Sequence, residues 1–87
     1  MKLAFLYHPN SEDARKVEEF AHDFIRQTGG NIELISLETM AGAEMARVYG
    51  IVSYPAILAR RDNGELVNSW EGDTLPLMSE VAGYISV

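Results

Sequence analysis

The sequence predicts an α/β fold in the order β-α-β-α-β-β-α, with a four-stranded mixed sheet and helices on both faces. Three observations carry that expectation. An unbroken apolar run from Leu3 to Tyr7, an amphipathic segment and a second strand marked by Ile32, Leu34, Ile35 and Leu37 lie within about 35 residues, the span of a βαβ unit whose strands are parallel and whose crossover is right-handed in nearly all cases. Asp62-Asn63-Gly64 separates two further apolar stretches and signals a hairpin, because Asn-Gly tolerates the positive φ angles of a tight turn. A last amphipathic stretch begins near Leu77.

Each element has a local cause. Leu3 to Tyr7 is apolar on both alternating faces, as a strand covered on both sides requires. His8-Pro9-Asn10 ends it, since proline lacks an amide donor and turns the preceding residue away from helical angles. Asn10 or Ser11 is expected to cap the first helix, with Glu12 and Asp13 favoured at its positive end. Ala14, Val17, Ala21, Phe24 and Ile25 follow the i, i+3, i+4 rhythm, Phe20 stands at the margin of that stripe, and Gly29-Gly30 supplies the left-handed stop. Ile32, Leu34, Ile35 and Leu37 form the second strand. A second helix is expected from about Met40 to Tyr49, with Met45 and Val48 facing inward and Gly50 closing it. Ala56 to Ala59 is the third strand and Leu66 to Trp70 the fourth, ended by Gly72. Leu77, Met78, Val81, Tyr84 and Ile85 mark the last helix, with Pro76 expected in its first turn.

Composition bounds the function. The 87 residues, 47% hydrophobic and 23% charged, suit one compact soluble domain spanning residues 1–87, and a chain of this size buries roughly 60–65% of its unfolded surface. Cysteine is absent, which removes disulfides, thiolate metal clusters, cysteine nucleophiles and dithiol redox chemistry. A formal charge of -6 argues against nucleic acid or an anionic membrane as the main partner. The N-terminal apolar run of about five residues is shorter than the roughly 7–15 of a signal-peptide core and lacks a small-residue cleavage site, and no stretch approaches the ~20 apolar residues of a membrane span. A cytoplasmic protein without cofactor or metal is the expectation.

The order of elements resembles the thioredoxin fold, and local sequences extend the likeness over nearly the whole chain. Tyr49-Gly50-Ile51-Val52-Ser53-Tyr54-Pro55-Ala56 resembles the thioredoxin and glutaredoxin family segment in which a helix ends at Tyr-Gly-Val or Tyr-Gly-Ile and a cis proline follows. Asp62-Asn63-Gly64-Glu65-Leu66 resembles the family's hairpin, and Trp70-Glu71-Gly72 its closing strand and glycine. The family's Cys-x-x-Cys is missing. Ser11 aligns with its first cysteine and Ala14 with its second, so the resemblance implies a redox-inactive member. It also implies that the groove between His8, Asn10 and Ser11 on one side and Ser53, Tyr54 and Pro55 on the other keeps a surface for extended peptide, making a non-catalytic protein- or peptide-binding module the leading expectation.

The chemistry-bearing residues fit no strong catalytic pattern. His8, Ser11 and Asp13 are too close in sequence for a nucleophile, base and orienting group, which usually converge from separate segments. His8 therefore reads as a strand-end loop histidine, and His22 as solvated surface. Glu12/Asp13 and Glu18/Glu19 are neighbours about 100° apart on a helix and do not converge on one atom. Gly29-Gly30 follows a helix, which is the wrong order for a phosphate loop. An enzyme of another class, or a glutathione-type ligand, using Ser11 or His8 in the same cleft is one alternative. Self-association is another: Trp70 lies on a strand expected at a sheet edge, partly buried, where it is an interface candidate for a homodimer.

Overall fold

In the computed structural model, which describes residues 1–85, the chain forms β1 (Lys2–Tyr7), α1 (Ala14–Thr28), β2 (Glu33–Ser36), α2 (Met40–Val48), β3 (Ala56–Arg60), β4 (Leu66–Glu71) and α3 (Met78–Ala82). The sheet order is β2-β1-β3-β4. β1 runs parallel to β2, with Phe5 opposite Leu34, and antiparallel to β3, with Phe5 opposite Ile57. β3 and β4 form the hairpin, closed by Gly64 N–H to Arg61 O at 2.9 Å, with a bulge between Ala59 and Arg60. The mixed four-stranded α/β architecture of the sequence reading is present. Among the described residues no helix is long and apolar enough to cross a membrane.

The sheet separates two cores because alternate strand residues point to opposite faces. On one side Leu3, Phe5, Tyr7, Ile57 and Ala59 meet Val17, Phe20, Ala21 and Phe24 of α1 and Val81 of α3. Phe5 and Phe20 meet edge to face at 5.7 Å between ring centroids. On the other side Ala4, Leu6, Ala56 and Leu58 meet Ala46 of α2 with Leu37 and Ile51. Trp70 is half-buried on the first face, edge-on to Tyr84 at 5.3 Å, so it packs beside the segment that follows α3. Burying side chains such as Phe5, Phe24 and Leu6 stabilises by roughly 1.5–3 kcal/mol each.

Several local expectations are corrected. The N-cap of α1 is Asp13, and its side chain makes no capping bond. Neither Asn10 nor Ser11 caps: the Ser11 hydroxyl donates to His8 O at 2.7 Å, and the Asn10 amide donates to Glu38 Oε1 at 3.1 Å. Ile25 is 44% exposed, at the rim of the α1 stripe, whereas Phe20 is buried. Val48 is 62% exposed. α2 turns its small residues, Gly42 and Ala46, to the sheet, with Met45 partly buried against the same core, a rotation of roughly 110° from a face centred between Met45 and Val48. Pro76 and Leu77 precede α3, and Leu77 is its N-cap rather than a buried helical residue.

Candidate functional site

The site forms where β1 ends, α1 begins and the chain enters β3. Tyr7 is the last residue of β1, and its carbonyl accepts Leu37 N–H at 2.8 Å, tying the end of β2 to the same edge. The turn that follows is closed by Ser11, whose N–H and hydroxyl both donate to His8 O, at 3.0 and 2.7 Å. Opposite lies the segment from Gly50 to Pro55. Gly50, at φ +68°, ends α2, Ile51 N–H returns to Ala46 O at 2.8 Å, and the Tyr54–Pro55 peptide is cis. The Tyr54 hydroxyl donates back to Ile51 O at 3.0 Å, folding the ring over its own loop.

These two segments enclose adjoining recesses. A small one of about 60 Å³ lies between Tyr7, His8, Ser11, Asp13, Tyr54 and Pro55. A larger groove of about 260 Å³ runs toward α2, with a floor of Leu37, Ala43, Ala46 and Ile51 and a rim of His8, Arg47 and Tyr54. His8 and Tyr54 form the wall common to both. Their rings meet edge to face at 5.7 Å and 89°. Asp13 and Pro55 border the small recess, while Val52 stands 83% exposed beside the loop.

Five of the six residues singled out from the sequence fall at this place. His8, Ser11, Tyr54 and Pro55 line the small recess, and Ser53 lies in the loop beside it with its amide toward Glu71 Oε1 at 3.4 Å. Asn10 turns away from the recess to Glu38. Leu37, Ala43, Ala46, Arg47 and Ile51 were not singled out, although they build most of the larger groove. The signal for them is the row of small residues at Gly42, Ala43 and Ala46, which marks a helix face made for close approach. Trp70 lies elsewhere, on β4.

Charge of both signs borders the site: Asp13 lines the small recess and Arg47 the rim of the larger groove. Glu71 accepts the amides of Val52 and Ser53 at 3.2 and 3.4 Å, and Glu44 pairs bidentately with Arg47, with Nε to Oε2 at 3.1 Å. That hydrogen-bonded pairing raises the Arg47 guanidinium further above its already high value. Burial, reinforced by the carboxylate of Glu18 that accepts its hydroxyl at 3.2 Å, raises the Tyr7 phenol above its ordinary value near 10.0. The Ser11 hydroxyl is committed to a carbonyl rather than to the His8 imidazole, so no serine–histidine pair is assembled. Among the described residues no group of three His, Cys, Asp or Glu side chains is placed to hold a metal ion.

The amides of Val52 and Ser53 are taken by Glu71, and Pro55 O accepts Gly72 N–H at 3.0 Å. Among the described residues the N–H and C=O of Tyr54 are left without an intrachain hydrogen-bond partner.

No family model matches the chain, and no curated protein matches it. Among solved structures it is similar to thioredoxin 1 from the thermophilic eubacterium Thermosipho africanus TCF52B, with a TM-score of 0.68 over 98% of this chain and 90% of that one, at 12% sequence identity. A likeness at that identity establishes the fold: this chain has the thioredoxin fold. The absence of cysteine from the whole sequence makes it a thioredoxin-like fold without a dithiol centre.

Proposed function

We propose that this protein is a non-catalytic binding module that takes an extended segment of a partner protein across the recesses walled by His8 and Tyr54. The observation that carries the reading is the open backbone of Tyr54 beside an apolar groove. A peptide lying alongside Tyr54 gains main-chain hydrogen bonds, as in strand addition to a sheet edge, and its side chains gain burial over Ala43, Ala46 and Ile51. The hydroxyl of Ser11, engaged with His8 O, and the carboxylate of Asp13 beside it suit this role better than nucleophilic catalysis or an anionic ligand.

The reading is tested by selecting displayed random peptides on the wild-type protein. The selected peptides are then measured against a Tyr54→Ala/Ser11→Arg double variant whose fold is checked by circular dichroism. Enriched peptides are expected to lose at least tenfold in affinity on the variant, equivalent to about 1.4 kcal/mol. Peptides that bind both proteins equally would place the binding surface elsewhere and overturn the proposal.

A further inference from the structure

The end of the sheet opposite the His8 and Tyr54 recesses brings together two cations that pair with nothing in the fold. Lys2 opens β1 and Arg60 closes β3, and the antiparallel register sets them directly opposite each other. Alternation from Ala4 and Leu58 puts both on the α2 side of the sheet. Like charges at directly opposed positions, with Cβ atoms about 5 Å apart, destabilise a sheet. The acidic neighbours do not relieve them. Asp62 engages the Met1 amine at 3.7 Å, and Glu65 the Arg61 guanidinium at 2.7 Å. Glu33 stands opposite Ala4 on the same side and borders a recess with Lys2, yet it forms an ion pair with neither cation. Arg60 is half-buried, and its Nε–H is enclosed without an acceptor, alone among the side chains of the described residues.

We propose that Lys2 and Arg60 form an anion site that takes a phosphate group. An enclosed donor is normally paired with protein, water or an ion, and a guanidinium offers its N–H groups as a fork matched to phosphate oxygens. A phosphate between the two side chains replaces their mutual repulsion with attraction to a shared partner, and the guanidinium turns its Nε edge to it. Two unpaired cations favour a dianion over a carboxylate monoanion. Glu33 works against the anion and sets the limit of affinity. The site lies at the far end of β1 and β3 from Tyr54 and stands independently of peptide binding.

The test is a titration of the isotope-labelled full chain with inorganic phosphate, and in parallel with acetate, at about pH 8 and a constant ionic strength of about 0.1 M. Backbone amides and the arginine Nε–H resonances are followed. Phosphate is expected to move the amides of Lys2 and Arg60 and the Arg60 Nε–H saturably, at about millimolar affinity, with acetate at least about threefold weaker. Arg60→Gln and Lys2→Gln, each checked for fold by circular dichroism, are expected to weaken phosphate binding by about fivefold or more, and Glu33→Gln to tighten it about twofold. Lys2 is exposed, so its variant carries the test even if the half-buried Arg60 does not tolerate substitution. Phosphoserine in a third arm separates two sources of the group: tighter binding than inorganic phosphate assigns the site to a phosphorylated ligand, weaker binding to the free ion. Equal shifts at Arg15 and Lys16 would show general screening and overturn the site. An Arg60 Nε–H that stays unmoved, acetate bound as tightly as phosphate, or a Lys2→Gln protein that binds phosphate as well as the wild type would each overturn it too.

Discussion

Gly42 sets how closely α2 approaches the sheet, and with it the width of the groove. A Cβ added there would stand 2.0 Å from Ser36 O and 2.8 Å from Ser36 C, with Ile35 Cγ2 at 3.2 Å. The nearest obstacles are backbone atoms at the end of β2, which cannot rotate away as a side-chain tip does. Restoring ordinary contact requires α2 and that strand end to part by about 1.4 Å. Overpacking of this kind costs about 1–3 kcal/mol, and the higher helix propensity of alanine offsets about 1 kcal/mol of it. The separation also strains the bond from Gly42 N–H to Thr39 Oγ1, 3.1 Å long, which caps the helix. Gly42→Ala is therefore expected to destabilise the protein by about 1–2 kcal/mol, read as a lower urea midpoint with unchanged slope. Ala41→Gly on the exposed side of the same turn is the control, expected to lose about 1 kcal/mol through propensity alone. A Gly42→Ala protein as stable as wild type, or more stable, would show that α2 does not sit this close to Ser36 and would refute the reasoning.

Other expectations follow from single residues. Thr39→Ala removes the capping oxygen of α2 and is expected to cost about 1 kcal/mol in urea denaturation; no loss would mean that water replaces the cap. Phe24→Ala empties a fully buried site beside Phe20, with centroids at 6.4 Å, and is expected to cost about 3–5 kcal/mol. Ile25→Ala, at a position 44% exposed, is expected to cost much less, and comparable losses would contradict the assigned orientation of α1. The Tyr7 phenol is raised in the folded state, so its contribution to stability is fully present below pH ~10 and is lost as pH climbs above that value. Ultraviolet titration is expected to show one tyrosine ionising later than the others, and Tyr7→Phe is expected to lessen the alkaline loss of stability. Four tyrosines titrating together would rule out that assignment.

Much of the fold was legible because its signals are local. The apolar run at Leu3–Tyr7, the stripe through Val17, Ala21 and Phe24, and Asn63-Gly64 each specify an element within a few residues. The sites of error were those where local groups compete or where the partner surface decides. Ser11 is a good capping residue, but its hydroxyl is closer to the carbonyl of His8, and Asp13 takes the cap position instead. Val48 reads as core by hydrophobicity. A helix that lies close to a sheet, however, presents its smallest residues, so Gly42 and Ala46 face inward and Val48 faces solvent. The site was legible as a meeting of two segments, His8–Ser11 and Ser53–Pro55, through resemblance to a known fold. Its α2 side was not, because the groove depends on the rotation of that helix. The carboxylate of Glu71 reaches the Val52 and Ser53 amides from β4, at a sequence separation no local pattern records.

The most direct test of the account is amide chemical-shift mapping of the isotope-labelled protein titrated with a selected extended peptide. The account predicts the largest shifts at Ser53, Tyr54, His8 and Ser11, extending to Ala43, Ala46 and Ile51 along α2 and the loop that follows it. Shifts gathered around Trp70 on the β4 edge, with Tyr54 and Ser53 unmoved, would contradict it.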